Sequence, residues 1–70
     1  MKGHLRFLNH DRRWGLIEPD GRGPDIFVHT SKVIAGEPRK GERCRFDVKD
    51  DPRTGKPQAV NVLLGGWAED

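Results

Sequence analysis

Trp14-Gly15-Leu16-Ile17-Glu18-Pro19-Asp20-Gly21-Arg22-Gly23-Pro24-Asp25-Ile26-Phe27-Val28-His29 is the stretch on which the fold turns. Its ends are short apolar runs rich in β-branched and aromatic residues. Its middle, Pro19 to Asp25, is dense with residues that set turn dihedrals. Two such runs joined by a Gly/Pro/Asp loop predict an antiparallel hairpin. Within the runs, Trp14, Leu16 and Glu18 alternate with Gly15 and Ile17, and Asp25, Phe27 and His29 alternate with Ile26 and Val28. Unpaired carboxylates are rarely buried, so Glu18 and Asp25 face water and Ile17, Ile26 and Val28 face a core. Trp14, Leu16, Phe27 and His29 must then turn outward on neighbouring strands. A contiguous apolar and aromatic patch on a small protein calls for an explanation.

The rest of the chain extends the same pattern. Leu5-Arg6-Phe7-Leu8 is a further run, closed by the turn-prone Asn9-His10-Asp11. In Arg43-Cys44-Arg45-Phe46-Asp47-Val48, the apolar Cys44, Phe46 and Val48 share one face, the signature of a half-buried strand. Val60 to Leu64 is the fifth run, ended by Gly65-Gly66, with Trp67 on a short acidic tail. Between them, Ser31 to Ile34 predicts one helical turn, stopped by Gly36, Glu37 and Pro38, and Asp50 to Pro57 predicts a loop. Five short strands without a long helix predict an all-β fold. In so short a chain they favour a five-stranded antiparallel OB-type barrel over a sandwich of seven or more strands. Closure also removes exposed strand edges. The expected boundaries are a barrel over residues 1–64 and a tail over 65–70.

Seventy residues make one domain with a thin core, since at this size only about 60% of the unfolded surface is buried. Such domains often lean on disulfides or metals. Cys44 is the only cysteine, and His4, His10 and His29 are scattered. An internal disulfide and a cysteine-based zinc site are therefore excluded, and no metal or cofactor is expected. The lone thiol suits a reducing cytoplasm. The N-terminus has no apolar leader pattern and no run approaches a membrane span, so a cytoplasmic location without a membrane partner is expected. Net charge is +2. Residues 1–46 carry ten Lys and Arg against six Asp and Glu, or +4, and residues 47–70 carry three against five, or −2. That excess suits an anionic partner. No Ser/His/Asp or Cys/His constellation is visible, and no phosphate-cradling glycine loop precedes a helix. Asp50-Asp51 and Glu69-Asp70 sit in a turn and the tail. No enzymatic activity and no small-molecule substrate are expected.

The outward rings point instead to a stacking platform. Rings in water accept bases face to face, each stacked base being worth about 1–3 kcal/mol with little regard for its identity. Cations interleave with the rings: Arg6 precedes Phe7, Arg12 and Arg13 precede Trp14, and Lys32 follows His29 closely. Arginine can grip a phosphate bidentately or stack on a base. Basic residues woven among outward aromatics are more informative than either alone. Other readings fit the same residues. The patch is covered by the 30–41 loop or the Trp67 tail, the face assignment is inverted, or the cations are solvated surface charges. A protein-interaction module of the same barrel class, with Trp14 and Phe27 meeting another protein, is the main functional rival. A duplex reader is disfavoured, because no helix is available to enter a major groove.

Arg12-Arg13-Trp14-Gly15-Leu16-Ile17 resembles the first ribonucleoprotein motif of the cold-shock domain family, Lys-Gly-Phe-Gly-Phe-Ile, and Asp25 to His29 resembles the second, Asp-Val-Phe-Val-His-Phe. Gly3 to Asn9, Pro19-Asp20-Gly21, Gly41 to Phe46 and Pro57 to Val62 are similar to its opening, hairpin, strand entry and closing segments. The likeness runs in order over residues 3–62. It implies a five-stranded OB-type barrel that binds single-stranded RNA or DNA with low sequence preference, and for bacterial members an RNA-chaperone role. Carried over by position, Phe7, Trp14, Phe27 and His29 are the stacking residues, and Arg6 and Arg12 the basic ones. With Arg13, Leu16 and Lys32 they form the expected nucleic-acid site of an expected monomer. The departures are specific. Leu8 and Leu16 stand where the family has Phe, Thr30 where bacterial members often have Phe, and Arg13 where it has Gly. Weaker binding than in a fully aromatic member, with more reliance on charge, is expected.

Overall fold

The computed structural model describes residues 1–21 and 23–69. Arg22 of the expected hairpin loop and Asp70 of the expected tail lie outside the described residues. Among the described residues six strands follow one another: β1 (Lys2–Asn9), β2 (Trp14–Pro19), β3 (Ile26–His29), β4 (Val33–Ala35), β5 (Arg43–Asp50) and β6 (Pro57–Leu64). A 3-10 turn, Thr30–Lys32, joins β3 to β4, and a second, Gly65–Glu69, follows β6.

The five long strands close the expected barrel. β1 lies between β2 and β5, β3 flanks β2, β6 flanks β5, and β3 meets β6 to complete the circuit. The expectation of antiparallel pairing holds for β1–β2, β1–β5, β2–β3 and β5–β6. It fails where β3 and β4 meet β6, because both pairings are parallel. These strands are far apart in sequence, so no hairpin dictates their relative direction. The expected helical turn at Ser31–Ile34 is likewise corrected. The 3-10 turn ends at Lys32, and the β-branched Val33-Ile34 leads into β4, which pairs with Val62 and Leu63 of β6.

The interior is Leu5, Ile17, Ile26, Val28, Cys44, Phe46, Ala59, Val62 and Leu64. Ile17, Ile26 and Val28 are thus inside, as the carboxylate argument requires. Val48 is not, at 39% exposure. It pairs with Ala59, but Asp47 to Asp50 and Pro57 are all exposed. The outer part of the β5–β6 hairpin runs past the core, and alternation there no longer reports burial. Burial raises the Cys44 thiol to about 11, since a thiolate is disfavoured away from water.

Register slips occur in the β1–β2, β4–β6 and β5–β6 pairings, and the first and last of them bear on the surface. Between Leu5 and Phe7 the β1–β2 register slips by one, Leu5 facing Ile17 and Phe7 facing Leu16, so Arg6 is an inserted residue. A second slip opposite Arg45–Asp47 places Asn61 in the left-handed region at φ 52°, which asparagine tolerates. Gly15 permits the β1–β2 approach. A Cβ there would sit 2.5 Å from the Phe7 carbonyl oxygen.

Candidate nucleic-acid interface

The bulge at Arg6 decides what the platform contains. With Leu5 buried, strict alternation along β1 would send Phe7 inward. The inserted residue resets the phase. Arg6 and Phe7 are consequently both exposed, and Leu8 packs on the core from its margin. Phe7 faces Leu16, and Leu16 faces Phe27, giving a row across β1, β2 and β3. Trp14 faces His29 in the neighbouring row.

The rings are contiguous. The Phe7 and Trp14 centroids lie 5.3 Å apart at 45°, and those of Trp14 and Phe27 lie 5.9 Å apart at 24°. Phe7 is 42% exposed and Phe27 40%, whereas Trp14, Leu16 and His29 are half-buried. Neither the 30–41 segment nor Trp67 seals Phe7 or Phe27. Trp14 thus contacts a ring on either side, from β1 and from β3.

His29 is held by the turn that follows. Its Nδ1 accepts the Ser31 backbone N–H at 3.1 Å and lies 2.8 Å from Ser31 Oγ. An acceptor Nδ1 leaves the neutral imidazole proton on Nε2, which can donate outward.

The cations do not behave alike. Arg6 Nη1 donates to Asp25 Oδ2 at 2.8 Å, although the arginine side chain remains 62% exposed. Arg6 therefore ties β1 to Asp25 at the entry to β3, and one edge of its guanidinium is already committed. Arg12 and Arg13 form the β1–β2 turn. The Arg12 N–H donates to Asn9 Oδ1 at 3.1 Å, and the Arg13 carbonyl accepts the Thr30 N–H at 2.9 Å. Both side chains are exposed, and among the described residues no carboxylate pairs with either. Arg13 sits at φ 59°, in the left-handed region that favours glycine. Lys32 lies past His29 at the end of the 3-10 turn.

Beyond the rings, Phe27, His29, Lys32, Arg53 and Gln58 line a groove of about 530 Å³ between β3 and the β5–β6 loop, with Asp51 as its one acid. Arg53 and Gln58 escaped the sequence reading. They reach the groove beside Phe27 because β6 closes on β3, Gln58 standing opposite Phe27. The single local signal was the Pro57-Gln58-Ala59 likeness to the family's closing segment. A different set of charges occupies the far end of the β1–β2 ladder. There Arg43 grips Asp20 through two 2.8 Å hydrogen bonds, holding its carboxyl below the usual range.

A sequence model of the "'Cold-shock' DNA-binding domain" matches residues 1–64. The chain belongs to the cold-shock domain family. Among its relatives, cold shock protein CspA of Rhizobium meliloti is 32% identical over 63 residues, covering 86% of this chain and 91% of the relative. Cold shock-like protein CspA of Rickettsia bellii is 36% identical over 66 residues, covering 89% and 90%. The solved structure titled drosophila Unr CSD456 superposes with a TM-score of 0.73 at 18% identity, over 90% of this chain and 25% of that one. At that identity the likeness speaks to the cold-shock fold alone. Cold-shock domains are nucleic-acid-binding modules. Among the described residues no helix is long and apolar enough to cross a membrane.

Proposed function

We propose that this cold-shock domain binds single-stranded RNA or DNA on the Phe7–Trp14–Phe27 patch and, by holding bases unpaired, acts as an RNA chaperone. The observation that carries the reading is the unbroken run of rings across three strands, open to water at both ends. Bases stack on the rings and on His29, while Leu16 supplies apolar contact between the rows. Arg12, Arg13 and Lys32 meet phosphates, and Arg6 divides its guanidinium between Asp25 and the ligand. A shallow, ring-lined surface suits unpaired bases and has no shape match to a duplex groove. On this reading residues 1–64 bind and 65–70 form a tail. The protein works as a cytoplasmic monomer, without a small-molecule substrate and without catalysing a reaction.

The test is tryptophan fluorescence during titration with a short pyrimidine-rich oligonucleotide. Trp67 is 61% exposed and adds background, so a Trp67→Phe parent is used. Quenching of Trp14 is expected. Trp14→Ala and Phe27→Ala, followed by anisotropy of a labelled oligonucleotide, are each expected to lose about 5- to 150-fold in affinity, the equivalent of one stacked base. Unchanged affinity in both variants places the site elsewhere. Affinity weaker than about millimolar in the parent favours the protein-interaction reading.

A further inference from the structure

We propose that a bound strand longer than the ring patch continues past Lys32 into a second groove, where its phosphate backbone runs between Lys32 and Lys49. The proposal rests on the reading of the ring patch as a single-strand site and extends the path of the same ligand.

The second groove, about 540 Å³, is lined by Lys32, Ile34, Lys49, Gln58, Val60 and Asn61, together with Ser31 and Pro52. Ser31, Lys32, Pro52 and Gln58 also line the groove beside Phe27 and His29. The two grooves therefore lie side by side with four lining residues in common, so a chain leaving the rings past Lys32 comes to the second groove next.

The lining chemistry differs from that of the platform. Among the described residues it contains two ammonium groups and no carboxylate, together with the polar side chains of Ser31, Gln58 and Asn61. Asp47, which adjoins the groove through Asn61, already accepts a hydrogen bond from Asn61 Nδ2 at 3.2 Å. Charge complementarity thus selects an anionic occupant. Among the described residues that line it there is no aromatic ring to stack a base. What remains is phosphate contact at Lys32 and Lys49, lysine acting as a point charge. The exposed Ile34, at 64%, offers an apolar strip to sugars. The four planar groups Phe7, Trp14, Phe27 and His29 take about four bases, and the added groove moves the site size further into the range that single OB barrels cover.

The test compares two labelled oligothymidylates, of about four and about eight bases, binding to the full chain, to Lys49→Gln and to Lys2→Gln. Lys2 lies at the end of β1 away from Trp14 and serves as the control for net charge. On a single strand one phosphate contact contributes about 0.7 to the slope of log K against log salt. Extrapolated from about 1 M salt, losing it costs about eightfold at about 50 mM and about threefold at about 200 mM. Those losses are expected for the longer oligonucleotide with Lys49→Gln, with the shorter one unaffected beyond the Lys2→Gln control. Equal losses at both lengths, or none at either, overturn the second groove and leave the ring patch standing. The latter is also the outcome if an acidic segment of another protein is the occupant. A parent that fails to bind even the short oligonucleotide, or binds it indifferently to Trp14→Ala, sinks the ring-patch reading and this proposal with it.

Discussion

Replacing Arg13 with glycine should make the protein more stable while weakening its grip on nucleic acid. Arg13 holds φ 59° in the turn between β1 and β2, and its carbonyl accepts the Thr30 N–H at 2.9 Å, so the neighbouring structure fixes that conformation. A left-handed backbone costs an L-residue about 1–2 kcal/mol. Glycine removes that cost but gives the unfolded chain more freedom, which offsets about 0.4–1 kcal/mol. The net gain is about 0.5–1 kcal/mol. Seventy residues at about 2.1 cal/mol/K each give an unfolding entropy near 150 cal/mol/K, so Tm rises by about 3–7 °C. The same change removes an exposed cation beside Trp14, so single-strand affinity falls by about threefold to eightfold depending on salt. Thermal unfolding followed by circular dichroism, with oligonucleotide anisotropy alongside, reads both quantities. Arg13→Ala is the control, because it deletes the charge but keeps the strain, and no rise in Tm is expected. An Arg13→Gly variant melting at or below the parent refutes the reasoning. So does an Arg13→Ala variant that gains as much, since relief of repulsion from Arg12 is then the cause.

Gly15→Ala sets a Cβ 2.5 Å from the Phe7 carbonyl oxygen and 3.2 Å from Leu5 Cδ1. Forcing β1 from β2 is expected to cost about 1–3 kcal/mol, read as a fall in the urea midpoint; an unchanged midpoint contradicts the close approach. The buried Cys44 thiol titrates near 11 in the folded chain against an ordinary 9.0. Below pH 9 it is protonated in both states. Between pH 9 and 11 the unfolded chain sheds the proton and the folded chain keeps it, so stability declines across that window. Urea midpoints at the two ends of the window, compared with those of Cys44→Ala, isolate this contribution, and parallel slopes count against it.

How much could be read without coordinates depended on whether the deciding forces were local. β2 and β3 were legible because alternation and carboxylate placement act within six residues. The sides taken by Ile17, Val28, Trp14 and Phe27 follow from them. The direction of Phe7 was not legible by pattern. One inserted residue reverses it, and Arg6 carries no mark that distinguishes an insertion from an ordinary outward position. β4 is three residues long, too short to display a period. Val48 continued a faultless alternation into a part of the hairpin with no core beneath it. The tie between Arg6 and Asp25, and the arrival of Gln58 beside Phe27, link residues 19 and 31 positions apart. Such contacts exist only after closure.

That closure is slender. Among the described residues a single rung, Phe27 with Gln58, joins β3 to β6, so the cylinder has a seam, and one lip of it carries the Phe27 ring on which the proposed site stacks a base. A polynucleotide laid over Phe27 and Gln58 spans both lips like a clasp. Since a guest that fits only the zipped form favours it by mass action, occupancy should slow amide exchange along the seam before it alters the rest of the wall.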